Sequence, residues 1–236
     1  MSHVLPLSVP VDLPVAKISE RFPVRRVYGV HRNYEAQYGE TEFRGSRPPG
    51  FYCKPADVLR PVNAGQVGDV PCPGPGQSFY FEVGLVVAIG KGGRRIRAED
   101  AAEHIYGYAV GLDMGRSDPP ENANPPWWRW SFGSTFDMPT YIGPIVQAAD
   151  VPGHAQAQLW LQVNGMEQQR STTARLLWSV SQIVEYLSVN CELHPGDLIF
   201  TGTPGGIGMA GAGDQITAEV DGVGVVELQV ACRAEL

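Results

Sequence analysis

The sequence predicts a mostly β fold of mixed, β-rich α+β type with a few helices. Three observations carry this. The 236 residues include 28 glycines and 20 prolines, enough punctuation for many turns between short strands. "FYFEVGLVVAIG", from Phe79 to Gly90, is a buried strand by length and composition, closed by the turn "KGG". "AQLWLQVNGMEQQRSTT" sets Asn164-Gly165 between two strand-like runs, the signal of a hairpin.

The elements follow in order. Residues 1–20 read as an N-terminal arm, weakly structured or added as an edge strand, and residues 21–236 as one domain. "RRVYGV" (Arg25 to Val30) alternates like a short strand. The polar stretch from Arg32 to Gly50 suits a surface loop or short helix, and "FYCKPADVL" an extended segment. "RAEDAAEHIYGYAVGLD" opens as a helix, with Glu99 and Asp100 favourable in its first turn, and passes near Gly107 into an apolar strand ending at Asp113. "MGRSDPPENANPPWWRWSFGS" is loop by composition. Trp127, Trp128 and Trp130 in it suit either the wall of a ligand pocket or simple packing. "ARLLWSVSQIVEYLSVN", residues 174–190, spaces Leu176, Leu177, Val180, Ile183, Val184 and Leu187 as one face of a helix on a sheet. "HPGDLIFTGTPGGIG" reads as turn, strand and glycine-rich loop, and "DQITAEVDGVGVVELQV" as a hairpin around Asp221-Gly222.

Composition narrows the function. A hydrophobic fraction of 43% supports a sizeable core. A net charge of -7 argues against general nucleic-acid binding, which needs a basic face. No apolar run approaches the roughly 18 residues of a membrane span. "MSHVLPLSVPVDLP" lacks the basic start of a signal peptide, so a cytoplasmic location is expected. Cys53, Cys72, Cys191 and Cys232 show no CxxC spacing and read as free thiols, in keeping with a reducing compartment. The loop "GTPGGIG" lacks the lysine of a phosphate loop. It reads better as a tight turn that brings backbone N–H groups to a small ligand.

Several motifs then align in one order: "FPVRRVYGVHRNY", "KPAD", "FEVGLVVAIGKGG", "HIYGYAVGLDM", "FDMPTYIGPIV", "VNG", "LLWSVSQIVEYLS" and "PGDLIFTGTPGGIG". Together they resemble the fumarylacetoacetate hydrolase family from about residue 21 onward, and most closely its short bacterial members acting on acylpyruvates such as fumarylpyruvate. The resemblance implies a rolled β core, a homodimer, and a substrate that is a small dioxo or enol acid. It implies C–C bond hydrolysis of an acylpyruvate assisted by Mg²⁺ or Mn²⁺. It also implies a Glu-x-Glu strand motif and an aspartate as metal ligands. Period-2 spacing would put both glutamates on one strand face, and hard oxygen ligands suit the metal.

Carried over by position, Glu82 and Asp113 match metal ligands, but Gly84 stands where the second glutamate belongs. Metal binding is therefore expected to be weak or absent, and Gly84→Glu is expected to strengthen it. Gln37 falls at the histidine of the family's water-activating lid pair, and Glu40 at its glutamate. Ser117, Pro120 and Ser134 replace an arginine, a glutamine and a lysine. His31 stands where the family has glycine and is either a relocated base or a space-filling side chain. Lys54, Arg32, Thr203 and Trp128 are the substrate-binding candidates. These replacements predict poor hydrolysis of fumarylpyruvate and acetylpyruvate. They leave open a metal-independent isomerase, decarboxylase or cyclase on the same scaffold, using His31, Glu82 or Asp113 as acid and base, and a non-catalytic binding paralogue.

Overall fold

The computed structural model describes residues 4, 10–35, 48–71, 79–116 and 139–231. Its strands, in chain order, are β1 (Asp12–Pro14), β2 (Arg21–Pro23), β3 (Arg26–His31), β4 (Gly50–Lys54), β5 (Leu59–Pro61), β6 (Val67–Pro71), β7 (Phe79–Ile89) and β8 (Ile105–Arg116). They continue as β9 (Thr140–Ile142), β10 (Val146–Gln147), β11 (Gln158–Val163), β12 (Met166–Thr172), β13 (Asp197–Phe200), β14 (Gly208–Ala210), β15 (Gln215–Val220) and β16 (Gly224–Ala231). Helix α1 is Val180–Asn190. The predicted mostly β class is what the chain adopts.

The largest sheet runs β4-β3-β13-β7-β8-β9-β5, with β10 added to β8 and β14 to β7. A second sheet runs β12-β11-β15-β16-β6, and β1 pairs with β2 alone. The β13–β3 pair is parallel and the β7–β8 ladder antiparallel, so the large sheet is mixed. Strand β7 is buried on both faces, which explains its nearly continuous apolar sequence. Phe81, Val83, Leu85 and Val87 pack in one core cluster with Leu159, Leu161, Ile216 and Ala218 of the second sheet. Val86 and Ala88 belong to a separate cluster with Ala109, Leu198 and Phe200, which also takes in Leu13 and Phe22 of the small β1–β2 sheet.

Two boundaries differ from the periodic reading. The helix predicted from residue 174 begins only at Val180. There the Ser179 side chain accepts from the Gln182 N–H, and the Gln182 side chain reaches back to the Ser179 N–H. This capping box fixes the start more firmly than apolar spacing does. The preceding residues form a short 3-10 turn, Thr173–Arg175, and Leu176 bridges to Tyr34. The helix predicted after Arg97 is a 3-10 segment, Ala98–His104. The β7–β8 ladder resumes at Ile89 opposite Ile105, which leaves no length for the several turns a stable α-helix needs. Among the described residues no helix is long and apolar enough to cross a membrane.

Candidate active site

Period-2 geometry puts Glu82, Gly84 and Val86 on one face of β7. Opposite them on β8 stand Asp113, Gly111 and Ala109 in register. The two carboxylates are therefore direct cross-strand partners, with Cβ atoms about 4.5–5.5 Å apart by ladder geometry. Below them the Gly84–Gly111 pair carries no side chains. A Cβ on Gly111 would run into the Phe200 ring and the Val86 side chain, and a Cβ on Gly84 would lie 2.7 Å from the Gly202 carbonyl oxygen. A side chain at position 84, where the resemblance expects a second glutamate, would thus meet backbone of the loop that follows β13.

That loop is tied down at several points. The Thr201 N–H and hydroxyl both donate to Leu85 O, at 3.0 and 2.9 Å. Asn33 is fully buried, and its amide donates to Thr201 O at 2.8 Å and to Trp178 O at 3.1 Å while accepting from the Trp178 N–H at 2.8 Å. Gly202 has φ +107, in the region where glycine is at ease. Gly84→Glu is accordingly expected to displace the Gly202 loop and lower the thermal midpoint rather than simply add a ligand. A variant that melts like the parent and binds Mn²⁺ more tightly would show that the loop gives way.

Asp113 is the hub. Strand β4 reaches it from the far edge of the curled sheet: the Lys54 ammonium contacts Asp113 Oδ1, and the Tyr52 hydroxyl donates to Asp113 Oδ2 at 2.6 Å. Lys54 is 5% exposed and also donates to Thr140 Oγ1 at 3.0 Å and to Met114 O at 3.4 Å. The Tyr52 ring lies where a Gly29 side chain would be, so glycine at 29 is what lets it cross β3. Burial, then the Asp113 and Glu82 carboxylates, holds the Tyr52 phenol well above its usual value, so it acts here as a donor.

Glu82 differs from its partner. Among the described residues nothing donates a hydrogen bond to its carboxyl. Burial first, then the facing Asp113, pushes its pKa from 4.5 up to about 8, with Lys54 pulling the other way. A carboxyl in that setting calls for positive charge beside it. Two facing carboxylates fit a divalent cation that a substrate's own oxygens would help to coordinate, a common arrangement for Mg²⁺. Among the described residues no three His, Cys, Asp or Glu side chains gather into a metal-sized group.

The other candidates divide. Alternation sets His31 on the same face of β3 as Gly29, and its register partner is Gly50 on β4, two residues before Tyr52. His31 is half-buried, and burial, then the Arg32 charge, lowers its pKa below 6.5. Arg32 is exposed, with φ 55 at the turn after β3. Thr203 is buried in the loop facing β7. Gln37, Glu40, Ser117, Pro120, Trp128 and Ser134 lie outside the described residues. The residues that sequence reasoning passed over are Tyr52, Asn33, Thr140 and Gln169. Tyr52 could have been found, since it shares a strand face with Lys54 in "FYCK". The others are polar residues in strands and turns whose partners are distant in sequence.

Residues 26–231 match the family described as Fumarylacetoacetate (FAA) hydrolase C-terminal. The chain belongs to the fumarylacetoacetate hydrolase family. A solved structure of fumarylpyruvate hydrolase from Pseudomonas aeruginosa in complex with Mn²⁺ and pyruvate is 43% identical, with a TM-score of 0.90 over 98% of this chain and 100% of that one. A fumarylpyruvate hydrolase of Ralstonia sp is 40% identical over 153 residues, 65% of this chain and 79% of that protein. A mitochondrial oxaloacetate tautomerase of Mus musculus is 30% identical over 199 residues, 84% of this chain and 88% of that protein. The family thus joins hydrolases and tautomerases around this scaffold.

Proposed function

We propose that the protein hydrolyses the C–C bond of a small acylpyruvate, taking it as the dioxo or enol acid. The observation that carries this is the cross-strand Glu82–Asp113 pair with Lys54 and Tyr52 on Asp113, in a chain 43% identical to a fumarylpyruvate hydrolase solved with Mn²⁺ and pyruvate. Glu82 and Asp113 would hold a divalent cation. When bound, the cation supplies Lewis-acid stabilisation to the oxo-acid oxygens and the enolate that forms there.

The chain's own groups do the rest. His31, kept neutral near pH 7 by burial, takes a proton from water, whose oxygen adds to the acyl carbonyl carbon. The C–C bond then breaks, its electron pair passes to the methylene carbon of the pyruvate half as an enolate, and protonation there gives pyruvate and the second carboxylic acid. Lys54 and Tyr52 hold Asp113 in place during this, and Thr203 offers its hydroxyl to the substrate carboxylate. Fumarylpyruvate or acetylpyruvate with Mn²⁺ should yield one pyruvate per enol consumed, slowly, because Gly84 stands where the resemblance expects one anionic ligand.

A keto–enol tautomerase is the second reading, favoured by the 30% identity to an oxaloacetate tautomerase and by the placement of Glu82 opposite Asp113. The Glu82 carboxyl at about 8 exchanges protons near neutrality, which suits moving one between a carbon and an enol oxygen without water. Loss of enol absorbance from these substrates or from oxaloacetate, with no pyruvate released, would select it over hydrolysis.

The same carboxyl makes metal binding pH-dependent. At pH 7 the metal-free Glu82 is mostly protonated and must ionise to act as a ligand. Calorimetric titration with Mn²⁺ in two buffers of different ionisation enthalpy should therefore report release of close to one proton at pH 7 and much less at pH 9. Affinity should rise with pH through about 8. Equal proton release at both pH values would remove Glu82 from the ligand set.

A further inference from the structure

The glycine-rich loop is joined to β7 by a residue that no motif singled out. Gln169, on β12, is 1% exposed and comes from the second sheet. Its Oε1 accepts from the Val83 N–H at 2.9 Å, and its Nε2 donates to Thr203 Oγ1 at 3.0 Å and to Pro204 O at 2.9 Å. Val83 sits between Glu82 and Gly84, so this one amide ties the carboxylate strand to the loop carrying Thr203. The backbone N–H it meets there is bonded by a side chain rather than by a neighbouring strand, because the loop swings away from β7 between the β13 and β14 pairings.

The amide can point only one way. A backbone N–H only donates and a carbonyl oxygen only accepts, so Val83 fixes Oε1 on one side and Pro204 fixes Nε2 on the other. Thr203 Oγ1 must then receive a proton from Gln169. Its own hydroxyl proton finds no acceptor among the described residues. Thr203 is 5% exposed, one lone pair of its hydroxyl is taken by Gln169, and its O–H is left to donate.

We propose that Gln169 is a positioning residue that commits the Thr203 hydroxyl to donate to the substrate's carboxylate. The proposal rests on the reading of the substrate as a 2-oxo or enol acid. Without the Gln169 amide donating to its oxygen, the Thr203 hydroxyl would be free to rotate, and the anion would lose a preorganised donor.

The test measures pyruvate affinity by calorimetry on the Mn²⁺-loaded protein, beside methyl pyruvate as the uncharged control and a thermal melt. Thr203→Val should weaken pyruvate roughly 10- to 100-fold, the range for one hydrogen bond to a charged group. Thr203→Ser should keep most of the affinity. Gln169→Met should weaken pyruvate to a similar degree and methyl pyruvate much less, and the Gln169→Met/Thr203→Val double variant should bind no worse than either single variant. Should Gln169→Met fail to fold, Gln169→Glu keeps the acceptor for Val83 but, when ionised, loses both donors, and should show the same loss. Full affinity in the Gln169 variants, equal losses for both ligands, or additive losses in the double variant would overturn the proposal while the substrate reading stands. A parent protein that binds neither pyruvate nor oxalate would overturn both.

Discussion

Replacing Lys54 with methionine is expected to destabilise the protein by about 3–5 kcal/mol, the cost of removing one partner from a buried ion pair. Lys54 is 5% exposed and has no solvent to fall back on; its ammonium is divided among Asp113, Thr140 and the Met114 carbonyl. Without it, Asp113 and Glu82 face each other across the ladder with no counter-charge from β4. The loss should grow with pH. A carboxyl raised from 4.5 to about 8 contributes stability that is fully present below 4.5 and is lost as pH rises through about 8. Lys54 is one of the groups holding that value down, so removing it deepens the alkaline loss. Urea melts at pH 6 and pH 9 check this, and saturating Mn²⁺ should recover part of the deficit at pH 9 by restoring positive charge beside the carboxylates. Lys54→Arg should recover little, because the planar guanidinium does not fit the three-donor geometry of the ammonium. A methionine variant as stable as the parent at pH 9 would mean that the carboxylates are compensated by other groups.

Removing the His31 imidazole should cost turnover rather than folding. His31→Ala is expected to lower kcat on acetylpyruvate by roughly 10²–10⁴, the usual worth of a general base, with KM little changed. Gln37→Ala should do less, since an amide accepts no proton. Burial and the neighbouring Arg32 both disfavour the imidazolium, so the acid limb of the parent's pH–rate profile should fall below the ordinary histidine value of 6.5. The sign follows from the role: the base works only when neutral, and a lowered pKa keeps it neutral to lower pH. In His31→Ala that limb should vanish together with the rate. A variant with the parent's kcat and the same acid limb would assign the proton transfer to another group and leave His31 as a space-filling residue at the end of β3.

The sequence by itself determined the fold class and the family. The β7 run, the Asn164-Gly165 turn and the Asp221-Gly222 hairpin are local signals, and each occurs where the sequence predicted it, because a turn's φ values and a strand's two-sided burial are written in neighbouring residues. The family resemblance singled out Glu82 and Asp113 by position, and the fold sets them opposite each other on the β7–β8 ladder. Their partners were not legible. Tyr52, Lys54 and Thr140 meet Asp113 across gaps of 61, 59 and 27 residues, and only the curl of the large sheet brings β4 to β8. Gly84 shows the same division most clearly. From sequence it is a missing ligand; in the fold it faces the Gly202 carbonyl, and no side chain fits there while the loop holds its place. Gln169 lies in a plain polar hairpin strand, and its meaning depends on a loop-to-strand gap that exists only once β13 and β14 have both paired with β7. Local backbone preference and apolar periodicity act over a few residues, so they are readable in order along the chain. The satisfaction of buried polar groups acts across elements, so tertiary packing alone decided which donor met which acceptor.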